Sequence, residues 1–460
     1  MIYLGQDPVT AITHIGCWKA GLISVPTSVL FGSDALTYRL RDSGARVVIT
    51  DSEHYPVVEA VRNETPELQH VLLSDGMAAG ALDFWKQLEE ASDSFETLPL
   101  TPDTPAFISY TSGTTGNAKG ALHGHRSMLG HMPGLEMVYD RIPQEADVMW
   151  SPADWSWMGG LMDVLMPGWY CGIPVLTYRK TSFDPEESFH LMGRHGVRVA
   201  LLPPTVLHRL SHVSNPISRY GVDLRVVLSG GEPLGEHLYE WAATTLRTQV
   251  NEGYGQTECN VVLGNCARLF PPKPGSMGLP LPGHVASILD EEGQQVRQGE
   301  VGQLAFRAPD PVMMLEYWRN PQATRDKFIG EWLVTGDLAR CDEDGYYWYV
   351  GRADDVITSA GYRIGPGEIE DAINAHPAVS MSAVIGVPDL TRTEAIRAYV
   401  VLRPDYPHSS ALAESIRESV RKRLARHESP RDIEFVDALP MTVTGKILRR
   451  ELRERARQGL

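Results

Sequence analysis

The 460-residue chain has few cysteines, no long uninterrupted apolar run and no excess of basic residues. Its five cysteines are far apart and form no Cys-X-X-Cys pair, which argues against a disulfide framework or a cysteine-rich zinc site. The most apolar long stretch, residues 160–176, contains an aspartate and two prolines and is too short to span a bilayer. We therefore expect a protein of a reducing, cytoplasmic compartment with no membrane span.

The formal net charge is −16, so a nucleic acid or an anionic membrane would be repelled over most of the surface. Hydrophobic residues make up 43% of the chain, which allows a large packed core, and the length favours about two to four domains. No basic segment precedes the first apolar run, so we predict no signal peptide.

Strand and helix patterns alternate from the first residue. MIYL at 1–4, ISVP at 23–26 and RVVIT at 46–50 are predicted strands, and helices are predicted after Asp7 and over Ser33–Ser43. Such alternation is typical of βαβ units in a parallel sheet. Because the pattern begins at once, we expect that the chain lacks its first N-terminal elements.

The pattern changes around 300–307 and 345–351, where short β-type runs with turn residues predict a β-subdomain and a hairpin at Asp344-Gly345. We place a domain boundary at Arg352–Asp355. A separate α+β unit follows, with predicted elements comprising a helix from Gly367, strands near Ala383, over 395–402 and over 433–436, and a helix over 411–426.

The segment YTSGTTGNAKG, Tyr110–Gly120, has the composition of a phosphate-binding loop but not the Walker pattern, because Ala118 replaces its second glycine and Gly120 its hydroxyl residue. Glycines let several N–H groups approach one anion, while the hydroxyls and Lys119 add donors. The alternative is a flexible surface turn. The candidate phosphate-binding residues are Thr111, Ser112, Gly113, Thr114, Thr115, Gly116 and Lys119.

Five more motifs follow in order: SGGEP (229–233), NEGYGQTE (251–258), TGD (335–337), GRADDVITSAGYRIGPGEIE (351–370) and TGKILRREL (444–452). Together with the loop they resemble the adenylate-forming superfamily of acyl-CoA synthetases, peptide-synthetase adenylation domains and luciferases. The resemblance covers the whole chain. It implies an α/β fold with a large AMP-binding domain (1–351) of parallel or mixed sheets, helices and a β-subdomain, a hinge (352–355), and a small mobile α+β domain (356–460).

The resemblance also implies ATP and Mg²⁺. Tyr254 offers a flat face to adenine, Thr257 can donate to a phosphate oxygen, and Glu258 offers a hard oxygen to Mg²⁺. Asp337 can accept the ribose hydroxyls, and Arg352 resembles the second ribose contact. In isolation, a turn-capping aspartate and a surface arginine would be the commoner roles. The remaining implied ATP or AMP contacts are Gly231, Glu232, Pro233, Glu252, Gly253, Gly255, Gln256 and Lys446.

Two steps are implied. A carboxylate attacks the α-phosphate of ATP, with Lys446 between the two anions, and a thiol then displaces AMP from the acyl-adenylate. Between the steps, rotation about the hinge residue Asp354 would withdraw Lys446, present Gly361 to the pantetheine arm of coenzyme A, and bring Arg363 to the AMP phosphate. Considered without its TGK context, Lys446 is one more residue of a basic tail.

The motifs are most similar to acetyl-CoA and medium-chain acyl-CoA synthetases, and the implied acyl pocket comprises Trp157, Met158, Gly159, Gly230 and Gly255. Acetate-specific members have a tryptophan where this chain has Gly255. Each buried methylene contributes about 0.8 kcal/mol, so an open apolar pocket favours short- to medium-chain, branched or aromatic acids over acetate alone.

Two alternatives remain open. One is a freestanding adenylation enzyme that loads another thiol acceptor, and the other is an inactive, truncated nucleotide-binding remnant. The expected partners are a small carboxylate, ATP and coenzyme A, without nucleic acid, and the expected assembly is a monomer or homodimer.

Overall fold

The computed structural model describes residues 1–111, 118–179, 182–353, 355–359, 362–389, 392–404, 406–424, 428–441 and 447–458. The chain forms two compact units. The larger unit comprises Met1–Val285 and Arg307–Glu331, and the smaller unit comprises Ala286–Phe306 and Trp332–Leu460. The mixed α/β fold class is confirmed, whereas the domain limits and the hinge at 352–355 stay a prediction.

The helices are α1 (Pro8–Lys19), α2 (Ser33–Ser43), α3 (Tyr55–Val61), α4 (Phe84–Glu90), α5 (Arg126–Val138), α6 (Met158–Gly160), α7 (Met166–Cys171), α8 (Pro185–Arg194), α9 (Pro204–Leu210), α10 (Pro216–Tyr220), α11 (Glu236–Trp241), α12 (Pro321–Asp326), α13 (Pro366–Asn374), α14 (Ser410–Arg423) and α15 (Arg449–Gln458). A π-helical turn, Leu161–Leu165, joins α6 to α7, and another, Ala242–Leu246, follows α11. Within the described ranges, no helix is long and apolar enough to cross a bilayer.

The strands are β1 (Val47–Thr50), β2 (His70–Leu73), β3 (Leu82–Asp83), β4 (Pro105–Tyr110), β5 (Gly120–Gly124), β6 (Met149–Trp150), β7 (Val199–Leu201), β8 (Val226–Gly230), β9 (Gln249–Gln256), β10 (Asn260–Gly264), β11 (Leu279–Pro280), β12 (Ala286–Leu289), β13 (Gly302–Arg307), β14 (Glu316–Tyr317), β15 (Phe328–Ile329), β16 (Trp332–Cys341), β17 (Tyr347–Arg352), β18 (Ile357–Ser359), β19 (Tyr362–Ile364), β20 (Val379–Asp389), β21 (Thr393–Leu402) and β22 (Asp432–Phe435).

Parallel pairing dominates two sheets of the larger unit. β1, β2 and β3 form one sheet, and β6 to β9 are the parallel part of a six-stranded sheet whose order is β11-β10-β9-β8-β7-β6. The third sheet is antiparallel, in the order β14-β5-β4. Buried residues such as Val227 and Val250 of the central strands pack against Phe189 and Leu207 of α8 and α9. The parallel sheet predicted from the strand–helix alternation is therefore present.

The predicted strands MIYL and ISVP are wrong, because both segments form isolated parallel bridges. Ile2 bridges to Ile49 on one side and to Pro26 on the other. Proline has no N–H to donate, and the next hydrogen bond to the Ile2 carbonyl comes from the Thr27 amide. The helices around these segments agree with prediction, since Asp7 accepts a hydrogen bond from the Val9 amide at the start of α1.

The smaller unit has two sheets. In the first, β12, β13, β16 and β17 follow one another, and β16 and β17 form the predicted hairpin, with Gly345 at φ 86° in its turn. The second has the order β19-β18-β21-β20, with β22 parallel to β21. Buried Ile369 of α13 and Ile416 of α14 pack in one core of this sheet, and Leu452 of α15 packs in another. The predicted α+β unit is therefore present.

Candidate nucleotide and acyl site

The SGGEP and EGYGQTE motifs lie side by side because β8 and β9 pair in parallel. Ser229 is the register partner of Glu252, and Gly230 that of Gly253. The Glu252 carboxylate, which is buried, accepts a hydrogen bond from the Leu234 amide at 3.2 Å. Parallel strands bring their carboxyl ends to the same sheet edge, which is where ligands bind in such folds. Glu252 thus holds the turn that carries Gly231, Glu232 and Pro233.

Glu258 lies in the tight turn between β9 and β10, and it is 8% exposed. The Tyr317 hydroxyl donates to Glu258 Oε1, and Lys327 Nζ lies 3.8 Å from the same oxygen. Burial alone would raise the pKa of this carboxyl, but Lys327 and Tyr317 outweigh burial and lower the pKa. Glu258 is therefore a buried carboxylate that stays ionised at neutral pH.

Lys327 also contacts the neighbouring motif residue Gln256, whose Oε1 lies 3.2 Å from Lys327 Nζ. Lys327 comes just after α12, and its side chain is 14% exposed. One cation therefore contacts two side chains of the motif that is expected to hold phosphate and metal.

Lys119 and Thr111 close the predicted phosphate loop at the ends of β4 and β5. The Thr111 amide donates to the Lys119 carbonyl at 2.9 Å, and the Lys119 amide lies 3.3 Å from Thr111 Oγ1. Lys119 Nζ lies 5.3 Å from the centre of the Tyr317 ring. Tyr317 thus links the loop lysine to Glu258. The other loop residues of the prediction, Ser112, Gly113, Thr114, Thr115 and Gly116, lie outside the described residues.

His123 of β5 contacts the backbone of the turn between β9 and β10. Its Nε2 lies 2.8 Å from the Thr257 carbonyl oxygen, and its ring stacks on Phe107 at 4.7 Å between centroids. Burial lowers the pKa of His123 to about 4, so the ring is neutral at pH 7. Because a carbonyl only accepts, Nε2 carries the proton and donates it. The position of Thr257 is therefore fixed by a neutral, fully buried histidine.

The two predicted ribose residues lie together in the smaller unit. Asp337 of β16 is the register partner of Arg352 of β17, and Arg352 Nη1 donates to Asp337 Oδ1 at 3.1 Å. The Asp337 amide bonds to Thr335 Oγ1, and Gly336 between them has φ 78°. This conformation explains the glycine of the TGD motif. The pair presents a carboxylate and a guanidinium at one end of a hairpin.

An ion-pair cluster joins Asp355, the last residue of the predicted hinge at 352–355, to helix α15. Asp355 contacts Arg453 Nη2 at 2.6 Å and Arg449 Nη1 at 3.6 Å, and Arg449 also contacts Glu370 at 2.6 Å. We define Asp355, Glu370, Arg449 and Arg453 as the α15 cluster. The predicted residues Asp354, Gly361 and Lys446 lie outside the described residues, as does the Arg363 side chain, although β19 includes its backbone.

The predicted acyl-pocket residues differ in what surrounds them. Trp157 packs edge-on against Phe31 at 5.8 Å, and Met158 is buried. A Cβ added to Gly255 would lie 1.9 Å from the Asn260 carbonyl oxygen, and one added to Gly230 would lie 2.4 Å from the Gly253 carbonyl oxygen. These glycines therefore allow close approach of neighbouring backbone.

Gly159 differs, since a Cβ there would meet the side chains of Leu201 at 3.7 Å and Asp163 at 3.8 Å. The missing side chain of Gly159 thus leaves room next to an apolar wall and a carboxyl group.

The sequence did not predict three residues that contact this region: His123, Tyr317 and Lys327. None belongs to the motifs at 229–233 or 251–258 that they support. Tyr317 reaches the site because β14 pairs with β5, with Tyr317 opposite Ala121. A strand of this length has no distinct sequence signal. In the part of the chain that the structure describes, no group of three or more His, Cys, Asp or Glu residues could hold a metal by itself.

Two family models match the chain: AMP-binding enzyme over residues 1–318 and AMP-binding enzyme C-terminal domain over residues 368–446. The mitochondrial acyl-coenzyme A synthetase ACSM4 of Homo sapiens is 35% identical, over 100% of this chain and 80% of its own length. The acetyl-coenzyme A synthetase of Bacillus subtilis is 34% identical, over 98% of this chain and 79% of its own.

The chain is also similar to solved structures of CoA ligases. The anthranilate CoA ligase AuaEII, in complex with anthranoyl-AMP, superposes with a TM-score of 0.92 at 30% identity, over 100% of this chain and 88% of its own. A benzoate CoA ligase from Burkholderia xenovorans superposes with a TM-score of 0.86 at 28% identity, over 98% and 88% of the two chains.

Proposed function

We propose that this chain, which belongs to the AMP-binding enzyme family, converts a short- to medium-chain, branched or aromatic acid to its CoA thioester through an acyl-adenylate. The family predicted from the motifs is confirmed, and so is the activity class, an AMP-forming acid–thiol ligase of the acyl-CoA synthetase kind. The nature of the acid, the metal and the roles of single residues belong to the proposal.

The observation that carries the proposal is the buried, ionised Glu258 at the end of the strand that bears Tyr254. Mg²⁺ binds through one or two carboxylates together with substrate phosphates, and a single charged oxygen ligand from the protein is enough for such a site. Glu258 fits this need, because Lys327 and Tyr317 lower its pKa despite burial. When bound, Mg²⁺ neutralises phosphate charge during nucleotidyl transfer.

In the first step, a carboxylate oxygen attacks the α-phosphorus of ATP, the bond to the bridging oxygen breaks, and pyrophosphate leaves. Both reactants are anions, so cations and N–H donors must lie around them. We assign Lys119 and its loop to the pyrophosphate end of ATP and Lys446 to the α-phosphate. Asp337 and Arg352 are assigned to the ribose and Tyr254 to adenine.

In the second step, the thiol sulfur of coenzyme A attacks the acyl carbonyl carbon, the thiol loses its proton, and AMP leaves with the electron pair. One pocket serves both steps if the 356–460 domain rotates about Asp354, so that Gly361 and Arg363 replace Lys446. This rotation is a common solution for two chemistries in one site.

The acid is inferred from the surroundings of Gly159. A methyl-sized group in place of the missing side chain would make only ordinary van der Waals contacts with Leu201, so this space can accept a carbon atom of an acid longer than acetate, and each further buried methylene contributes about 0.8 kcal/mol. Trp157 and Met158 add apolar lining. The superposition on ligases named for anthranilate and benzoate supports the inclusion of aromatic acids.

The test is AMP release from purified protein with ATP, Mg²⁺ and a panel of acids from two to twelve carbons plus aromatic acids, with and without coenzyme A. We expect activity with several acids longer than acetate and multiple turnovers only with coenzyme A. A sharp acetate optimum would contradict the proposed acid class. A complete lack of carboxylate-dependent pyrophosphate exchange would favour the inactive remnant.

The division of labour between the two lysines has its own test. Lys446→Ala should abolish acyl-adenylate formation yet largely spare thioester formation from supplied acyl-AMP, since the second step does not use this lysine. Lys422→Ala, in an exposed position of α14, is the matched control. Equal loss of both half-reactions would refute the assignment of Lys446 to the first step.

A further inference from the structure

Asp163 is a buried carboxyl group that the motifs do not include. It lies in the π-helical turn Leu161–Leu165 between α6 and α7, and 3% of its surface is exposed. The Tyr139 hydroxyl donates to the Asp163 backbone carbonyl at 2.7 Å, which fixes the turn. π-Helical turns inside helices are frequent at functional sites, because they displace side chains from the regular helical positions.

The side chain of Asp163 lies next to one residue assigned to the acyl pocket and contacts the neighbour of a second. Its Oδ2 would lie 3.8 Å from a Cβ added to Gly159. Its Oδ1 accepts a hydrogen bond from Asn260 Nδ2 at 2.7 Å, and the Asn260 carbonyl oxygen is the atom that abuts Gly255. Asp163 therefore adjoins both Gly159 and the backbone next to Gly255.

The chemical form of the group follows from its surroundings. Burial raises the pKa of Asp163 to about 8, against the opposing effect of the Asn260 hydrogen bond, so the neutral acid prevails at pH 7. Because Oδ1 accepts from Asn260, the proton belongs on Oδ2. A buried O–H group strongly favours a hydrogen-bond acceptor, since leaving it unpaired is costly.

We propose that Asp163 determines the acyl specificity and that the preferred acids carry a hydroxyl or carbonyl group, which accepts a hydrogen bond from Oδ2, in place of a plain hydrocarbon end. This inference rests on the proposed acid–CoA ligase function and on Gly159 lining the acyl pocket. A site that hydrogen-bonds a substrate group discriminates strongly against the analogue that lacks it, because the buried partner is then unpaired.

The experiment compares kcat/KM for matched pairs of acids in the holoenzyme with ATP, Mg²⁺ and coenzyme A. The pairs are plain and ω-hydroxy acids from three to eight carbons, and phenylacetate with 4-hydroxyphenylacetate. In the wild-type enzyme the polar member should be favoured by about tenfold or more at the best-fitting length. A polar-to-plain ratio at or below one for every pair would overturn the inference and leave the ligase function intact.

Two variants connect this preference to the side chain. Asp163→Leu, which removes the donor and keeps a side chain branched at Cγ, should bring the ratio to one or below, whereas Asp163→Asn should keep much of it because an amide also donates. Asp223→Asn, whose side chain is 84% exposed, is the matched control and should keep the wild-type ratio.

Other results would contradict separate parts of the proposal. A preference that survives Asp163→Leu would overturn the role of Asp163. Faster reaction of ω-amino acids than of their hydroxy counterparts would overturn the neutral donor, because an ammonium group requires the ionised carboxylate. Absence of AMP release with every acid would instead contradict the proposed function itself. If Asp163→Leu fails to fold, the wild-type ratios and Asp163→Asn still decide.

Discussion

Glu258 and Asp163 are both buried carboxyl groups of the larger unit, with 8% and 3% of their surfaces exposed. Lys327 and the Tyr317 hydroxyl contact Glu258 and, despite the opposing effect of burial, lower its pKa. Asp163 has the neutral Asn260 amide as its hydrogen-bond donor, and burial raises its pKa to about 8. Burial raises the pKa of both groups, so the difference in charge comes from the neighbouring cation first and from the Tyr317 hydrogen bond second.

The difference fits two kinds of ligand. An ionised carboxylate suits a metal ion beside phosphates, whereas a neutral carboxyl suits a polar group on an otherwise apolar acyl chain. The proposed acyl-adenylate would thus meet a charged group near its nucleotide end and an uncharged group near its acyl end. Substitutions that change the charge of either carboxyl group test this difference.

The largest effect is expected from Glu258→Gln. The amide keeps the shape but loses the charge, and it leaves the nearby Lys327 without this counter-ion. Acyl-adenylate formation should fall by about 100-fold or more, and the Mg²⁺ concentration needed for half-maximal rate should rise. Pyrophosphate exchange over a Mg²⁺ series measures both, with the exposed Glu240→Gln as control. An unchanged Mg²⁺ dependence would show that Glu258 is not the metal ligand.

Lys327→Met should move Glu258 toward the condition of Asp163. Without the cation, burial dominates and the pKa of Glu258 rises, so the carboxylate is lost at a higher pH as the solution is acidified. The acid limb of the kcat/KM profile should therefore move to higher pH, and each pH unit of movement costs about tenfold in activity on the acid side.

The matched control for Lys327→Met is Lys86→Met, whose side chain is 67% exposed. A uniform loss of activity at all pH values, with the acid limb in place, would mean that Lys327 acts on something other than the charge of Glu258.

The motifs predicted Glu258 as an oxygen ligand but not the residues that keep it ionised. SGGEP and EGYGQTE could be recognised as neighbours, because strands that end in glycine-rich turns in a βαβ pattern share one sheet edge. Tyr317 and Lys327 could not be found, since their contacts with Glu258 depend on the pairing of the two-residue strand β14 with β5. Pairing across almost two hundred residues is set by tertiary packing and leaves no local pattern.

At the acyl end of the proposed site, the sequence predicted residues but not their surroundings. The sequence presents Gly159, Gly230 and Gly255 as equivalent openings of the acyl pocket. The local backbone distinguishes them, because a Cβ added to Gly230 or Gly255 would lie 2.4 or 1.9 Å from a carbonyl oxygen, whereas one added to Gly159 would make only ordinary contacts. In the sequence, Asp163 is recognisable only as a charged residue that interrupts the apolar stretch at 160–176. Its burial and its Asn260 partner depend on the hairpin of β9 and β10, which lies about a hundred residues further along the chain.

Asp163→Asn should change the dependence of stability on pH. The folded-state pKa of about 8 lies above the ordinary value of 3.8, so within this window the folded protein holds a proton that the unfolded chain has lost. Stability therefore falls as the pH rises from about 4 to about 8, by at most about 1.4 kcal/mol per pH unit. Tyr139, which contacts the same turn, stays protonated here because burial raises its pKa.

Urea unfolding of wild type and Asp163→Asn between pH 5 and pH 8 measures this effect. As the pH rises, the urea midpoint of Asp163→Asn should increase relative to that of the wild type. The midpoint of Asp223→Asn relative to the wild type should show no such trend. A difference that does not change with pH would mean that Asp163 is ionised in the folded protein, as Glu258 is.

The smallest effect is expected in the smaller unit, where Asp355 resembles Glu258 in having cationic partners. Arg453 and Arg449 of α15 hold Asp355, the last residue of the predicted hinge, at 2.6 and 3.6 Å. The predicted catalytic Lys446 lies three residues before the first residue of α15, Arg449, in sequence. If the α15 cluster transmits the position of the hinge to this lysine, Asp355→Asn should slow acyl-adenylate formation by about three- to tenfold and leave thioester formation from supplied acyl-AMP nearly unchanged.

Asp437→Asn, at an exposed position, is the control. Equal slowing of both half-reactions would assign Asp355 to the stability of the smaller unit, because a purely structural loss affects both steps that depend on it.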